Sequence, residues 1–162
     1  AGDESLYALD IAEGFLNGRS GRLYKKLVEE KKLAVSVRAG NSINKYMSEF
    51  AIHISLRPDA NPDSAEAAVW EELEKLKNEP VSERELQKVK NRAMMSLVES
   101  FLDMENVATQ LAFYEIFGDY RLLLDWPKKL ETVTPADVQE AAKKTFKHKG
   151  VTVGRLLKGE ER

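Results

Sequence analysis

Residues 17–37 read NGRSGRLYKKLVEEKKLAVSV, and the reading of this stretch decides the fold. Gly18 and Gly21 punctuate a turn. A short basic-acidic helix follows from about Leu23 to Glu30. Leu33 to Arg38 then alternates or runs apolar, and Val35 and Val37 favour a strand. The order turn, helix, strand is specific, yet the stretch holds no residue set able to do chemistry. Gly18-Arg19-Ser20-Gly21 precedes a helix, where an anion fits in principle. It lacks the Lys-Ser/Thr end of a phosphate-binding loop and reads as a structural turn.

Upstream, Leu6, Leu9, Ile11, Ala12, Phe15 and Leu16 recur at helical spacing. Asp3 can cap that helix, and Asn17-Gly18 ends it. Downstream, Gly40, Asn41, Ser42 and Asn44 form a turn cluster. Tyr46 to Leu56 is the clearest strand, with Phe50, Ile52, Ile54 and Leu56 on one face. The short connection makes an antiparallel pair the simplest arrangement. After the loop from Arg57 to Pro62, Asp63 or Ser64 caps a helix to about Asn78, with Ala67, Ala68, Trp70, Leu73 and Leu76 available for burial. Pro80 breaks it. Ser82 and Glu85 form a capping box that opens a long helix. Its pattern continues to Phe117, with a kink or break near Asp103 to Asn106, and Gly118 stops it. Phe113, Tyr114 and Phe117 read as core. A further helix holds Tyr120 to Leu130, with Pro127 bending or splitting it. Thr134-Pro135-Ala136-Asp137 opens the last helix, which Gly150 ends. Val151 to Leu156 reads as a closing strand. The expected architecture is α+β, a thin antiparallel sheet packed against several helices.

The 162 residues suffice for one domain with its own core, and 43% hydrophobic with 32% charged residues is ordinary for a globular protein. A net charge of −2 from 25 basic and 27 acidic residues, interspersed, argues against a nucleic-acid face. The cluster Lys147, His148, Lys149 reads as a solvated helix end. No apolar run approaches the length of a membrane span. The absence of cysteine excludes disulfides and thiolate metal sites. The chain opens on Ala1 rather than Met, with helical periodicity almost at once, which reads as a processed chain or an excised domain.

Catalytic constellations are missing throughout. The chain has two histidines: His53 reads as a polar residue of a sheet face, His148 as a helix C-terminal residue facing the dipole. Neither has a Glu at the spacing of a zinc motif. Ser20 and Ser36 have no His–Asp partner in view. Asp10 and Glu13 sit three apart on what reads as a solvated helix face. The expected catalytic set and the expected metal set are therefore both empty.

The residues Arg22-Leu23-Tyr24, Leu27, Glu29, Glu30, Lys31, Leu33, Ala34, Ser36 and Val37 are ordered and spaced as in the second-half domain of pitrilysin/insulinase-type zinc metallopeptidases. The resemblance extends over Pro80 to Asn91 and Val133 to Val138. It implies a metallopeptidase-half domain of the pitrilysin/mitochondrial processing peptidase type, over residues 1–162, as a fragment of a larger peptidase chain lacking its first strand. In that family the zinc helix of the active half corresponds to the first helix here, which offers Leu9, Ala12 and Glu13 and no His. Many members place an Arg and a Tyr, seven positions apart, as a substrate clamp; here those positions are Val28 and Val35, and Lys32 stands for the usual Gly. Valine can neither donate to a peptide carbonyl nor stabilise an oxyanion.

The resemblance thus implies a non-catalytic C-terminal domain of a zinc metalloendopeptidase. Such a domain walls the proteolytic chamber and supports peptide binding and subunit association. Its implied partners are an N-terminal catalytic domain carrying the zinc, a second subunit carrying the clamp (a dimer), and a peptide or unfolded-protein substrate, with no nucleic acid and no membrane span. The same fold also serves as a non-catalytic scaffold or core subunit of a protein complex, which is the alternative. Prokaryotic relatives are often exported, so the resemblance favours a periplasmic or secreted location over a cytoplasmic one.

Overall fold

The computed structural model describes residues 5–42 and 48–156, with Phe117 by its backbone alone. The elements run in order α1 (Ser5–Leu16), α2 (Arg22–Tyr24) continuing into a π-helical turn (Lys25–Glu30), β1 (Ala34–Ser42), β2 (Glu49–Leu56), α3 (Pro62–Asn78), α4 (Glu83–Ser100), α5 (Met104–Phe117), α6 (Arg121–Thr132) and α7 (Pro135–Thr145). Asp3, the expected cap of α1, and Asn44 and Tyr46, expected in the turn and the second strand, lie outside the described residues. β1 and β2 pair antiparallel, with Ala39 opposite Ile52 and Asn41 opposite Phe50. The fold is α+β, as expected.

α1 is the centre of the molecule. Ala8, Leu9, Ile11, Ala12, Phe15 and Leu16 are all buried and form one broad face. It touches β1, α2, α4, α6 and α7. The turn that follows depends on Gly21, where a Cβ would overlap the carbonyl of Asn17. That close approach lets Leu23 and Leu27 reach the core, both fully buried. The widened turn closes with Lys31 N–H on Lys26 O and Leu33 N–H on Leu27 O.

The helix boundaries set by local chemistry are as read. Ser82 and Glu85 make the reciprocal capping box of α4, Thr134 and Asp137 that of α7. Asp103 caps α5 after a break at residues 101–103, ahead of the expected 103–106, and Gly118 ends it with positive φ. The buried Lys90 ammonium donates to the carbonyls of Glu131 and Val133 at 2.7 and 2.6 Å. It ties α4 to the end of α6.

Several expectations are corrected. Gly40, Asn41 and Ser42 continue β1 rather than turning; side chains of α1 hold them extended, as described below. α3 is capped by Asn61, whose side chain accepts from Asp63 N–H at 2.8 Å, with Pro62 in the first turn. Ala67 is exposed on that helix. Pro127 lies inside an unbroken α6. α7 ends at Thr145, and His148 sits in the turn beyond it, stacked on Trp70 at 3.8 Å between ring centroids. Val151–Leu156 forms no strand. It has no ladder partner among the described residues, and it is held by Arg155, which pairs with Asp63 and Glu66 of α3 at 2.8 and 2.7 Å. The Phe113 and Tyr114 of α5 are not core. Phe113 is 46% exposed and Tyr114 half-buried, because α5 packs chiefly on α6 among the described residues.

Candidate functional site

Asp10, Glu13, Gly14 and Asn17 stand at i, i+3, i+4 and i+7, one stripe of α1. The structure corrects the view of this stripe as solvated. It faces the free edge of β1 and a cavity of about 570 Å³ between α1, α4, α5 and α6.

At the strand edge, Asn17 behaves like a one-residue strand. Its side-chain NH₂ donates to Ala39 O at 2.7 Å and its side-chain oxygen accepts from Ala39 N–H at 2.7 Å. One residue pair further on, Glu13 accepts from Asn41 N–H at 2.8 Å, and its other oxygen accepts from Asn17 at 3.1 Å. Asp10 accepts from the Asn41 amide at 2.7 Å and from the Trp126 indole N–H at 2.9 Å. An edge that would otherwise present unpaired groups is thereby closed by helix side chains. Asp10 joins α1, β1 and α6 at one point.

The electrostatics follow from this placement. Burial pushes the Asp10 carboxyl above its usual range, opposed by the bonds from Trp126 and Asn41. Burial also raises Glu13, partly offset by the Asn41 N–H, with the charge of Asp10 adding to the rise. The Tyr114 hydroxyl is raised by burial first, then by Asp10 and Tyr7. Perturbed groups around a cleft are a signature of functional sites, and equally of structural networks. Here all four carboxylate oxygens are taken by donors of the fold.

No group of three His, Cys, Asp or Glu able to hold an ion lies among the described residues. His53 is exposed on β2 and His148 lies against Trp70. Ser20 accepts from Arg92 at 3.0 Å, and Ser36 is exposed. The feature the sequence reading missed is D-I-A-E-G at residues 10–14. Its spacing is that of H-x-x-E-H, with an acid first, Glu13 fourth and Gly14 fifth, one residue out of step with Leu9, Ala12 and Glu13. Gly14 is where α4 crosses α1, and a Cβ there would collide with Val89 Cγ1. The fifth position of this spacing is filled by a helix contact.

Val28 and Val35 both sit on irregular backbone. Val28 lies in the π-helical turn, half-buried against the core. Val35 is the extra residue of a β-bulge between Ala34 and Ser36, and 62% exposed. Such irregularities recur at functional sites, where they re-aim a side chain. Lys32, between them, has a left-handed φ of 53°, the conformation that favours glycine.

The family described as the Peptidase M16 inactive domain matches residues 1–93. The zinc protease PqqE of Helicobacter pylori is 26% identical over 141 residues, 86% of this chain and 32% of the relative. This chain therefore spans about a third of the length of that relative. Among solved structures, an inactive peptidase domain from a Bordetella parapertussis protein assigned as a zinc protease superposes with a TM-score of 0.87. It is 27% identical and covers 99% of this chain and 86% of that one. A Bordetella pertussis protein assigned likewise is also 27% identical, with a TM-score of 0.75 over 87% of this chain and 78% of its own.

Proposed function

Because this chain belongs to the M16 peptidases, as an inactive domain of that family, we propose that it forms one wall of a proteolytic chamber. In this reading it supports peptide binding and holds the halves of the enzyme together. Zinc chemistry is carried by a separate catalytic domain. The Arg/Tyr clamp comes from a partner subunit, since the corresponding positions here are Val28 and Val35. The substrate is a peptide or an unfolded segment able to enter an enclosed space.

One observation carries the reading. The α1 stripe that has the spacing of a zinc motif is wholly spent on structure. Asp10 and Glu13 are saturated by Asn41, Asn17 and Trp126, and Gly14 is packed against Val89. A metal-bound water needs open ligands directed at one point, and none exist on this stripe. The scaffold-subunit alternative has less support, because a relative matched over 86% of this chain is named a zinc protease.

The test pairs this domain with a half that bears H-x-x-E-H from the same enzyme. Alone and supplied with zinc, the domain holds no stoichiometric zinc and cleaves no fluorogenic peptide. Combined, the two halves give zinc-dependent cleavage well above that of the catalytic half alone. Turnover by the isolated domain overturns the non-catalytic assignment. Equal turnover with and without the domain overturns the chamber role.

A further inference from the structure

The cavity between α1, α4, α5 and α6 has two unlike sides. Val89, Ala93, Leu97, Leu123 and the Trp126 ring supply an apolar surface. The α1 side is polar but committed, since Asp10, Glu13 and Asn17 spend their side-chain groups on one another, on β1 and on Trp126. The polar capacity left over comes from α4 and α5. Arg92 donates to the neutral hydroxyl of Ser20. Gln110 donates its NH₂ to Ser100 at 3.0 Å, and its carbonyl has no partner among the described residues. Ser96 is exposed and Tyr114 reaches the cavity edge.

We propose that this cavity is a peptide subsite, taking an aromatic or large aliphatic residue of an extended, uncharged peptide segment. The volume lies within the ~300–1,000 Å³ of ligand pockets, room for a bulky side chain and its flanking peptide units. An apolar floor with a few unspent donors and one acceptor along one wall matches a peptide, whose backbone alternates donors and acceptors beside an apolar side chain. A charged residue is disfavoured by either sign. A carboxylate or an ammonium would give up its hydration against the apolar floor of Val89, Ala93, Leu97, Leu123 and Trp126, which holds no ionic partner to compensate. The occupant as peptide rests on the chamber reading above. The cavity and its uncommitted groups stand without it.

The experiment measures binding of blocked pentapeptides, acetylated and amidated, that differ only in a central Phe, Leu, Ala, Asp or Lys. Binding is read by the shift of the Trp126 indole N–H resonance in the intact chain. The Phe and Leu peptides bind at least tenfold tighter than the other three. Ala93→Phe, which plugs the floor, abolishes the shift. Gln110→Ala, a milder change that leaves the floor intact, weakens binding severalfold, and circular dichroism confirms the fold of each. The same variants in the zinc-bearing assembly raise the KM for Phe-containing peptides without lowering kcat. Equal binding of all five peptides, no Trp126 response at millimolar peptide, or full binding by folded Ala93→Phe overturns the subsite. Cleavage that proceeds with Ala93→Phe unchanged overturns it while leaving the chamber role standing; absence of cleavage by the assembly overturns the chamber role instead.

Discussion

Replacing Asn17 by alanine isolates the clip that closes the β1 edge. The change deletes the side-chain donor to Ala39 O and the acceptor for Ala39 N–H, both at 2.7 Å, and the weaker bond to Glu13 at 3.1 Å. Ala39 is fully buried, with 0% exposure, so water does not replace the lost partners. A buried backbone group left unpaired costs about 1–3 kcal/mol. Two such groups give a loss of roughly 2–6 kcal/mol, or roughly 4–24 °C in Tm for a chain of this size. Urea unfolding at constant m supplies the free energy, and hydrogen exchange supplies the location. The Ala39 amide loses protection far beyond the global change, while the Ala142 to Phe146 bond at the end of α7 follows the global change. Asn17→Asp keeps an acceptor for Ala39 N–H but faces Ala39 O with an oxygen and sets a second carboxylate beside Glu13, so it recovers little. A loss under about 1 kcal/mol, or unchanged exchange at Ala39, refutes the argument that this side chain substitutes for a strand.

Gly14→Ala adds a Cβ against Val89. Overpacking costs about 1–3 kcal/mol against a helix-propensity gain of about 1 kcal/mol, a net loss of roughly 1 kcal/mol; in a Val89→Ala background the same change turns stabilising, and a thermal double-mutant cycle reads the reversal. Lys32→Gly relieves a left-handed residue, worth about 1–2 kcal/mol less the chain entropy of about 0.5–1 kcal/mol that glycine adds to the unfolded state. It raises the urea midpoint, whereas Lys32→Ala does not. The raised Asp10 carboxyl makes its contribution greatest below the ordinary value of 3.8 and progressively lost as pH rises through its folded pKa. Urea unfolding of the chain minus that of Asp10→Asn therefore falls with pH across that window, and a carboxyl carbon titrating at or below 3.8 overturns the burial argument.

The elements legible in the sequence are those whose cause is local. The boxes Ser82–Glu85 and Thr134–Asp137 are complete within four residues, and both open helices where the residues say they must. Gly118 stops α5 for the same kind of reason. The misreadings have distant causes. Gly40 to Ser42 are turn formers by composition, yet Asn17 and Glu13, 22 and 28 positions away, hold Ala39 and Asn41 extended. Val151 to Leu156 has strand residues but no neighbouring strand among those described, and a strand without one has no ladder to join. α5 has apolar residues on its outer face that no described residue covers: Met104 is 87% and Ile116 64% exposed. Asp10 looked solvated because its partners, Asn41 and Trp126, lie 31 and 116 positions away. The cavity had no signal in the sequence beyond the D-x-x-E-G spacing.

That spacing shows how one helix geometry serves two ends. Positions i, i+3 and i+4 put three side chains on one face; in a zinc helix they aim lone pairs and a base at a single point in solvent. Here the same positions aim at the fold. Asp10 and Glu13 give their oxygens to β1, α6 and Asn17, and Gly14 gives its space to α4. Chemistry is not one substitution away. A histidine at position 14 would drive Val89 out of a close helix crossing, and one at position 10 would leave Asn41 and Trp126 without their acceptor. The side chains at this spacing stabilise the contacts of α1 with β1, α4 and α6, so building a ligand set here would cost the fold those contacts.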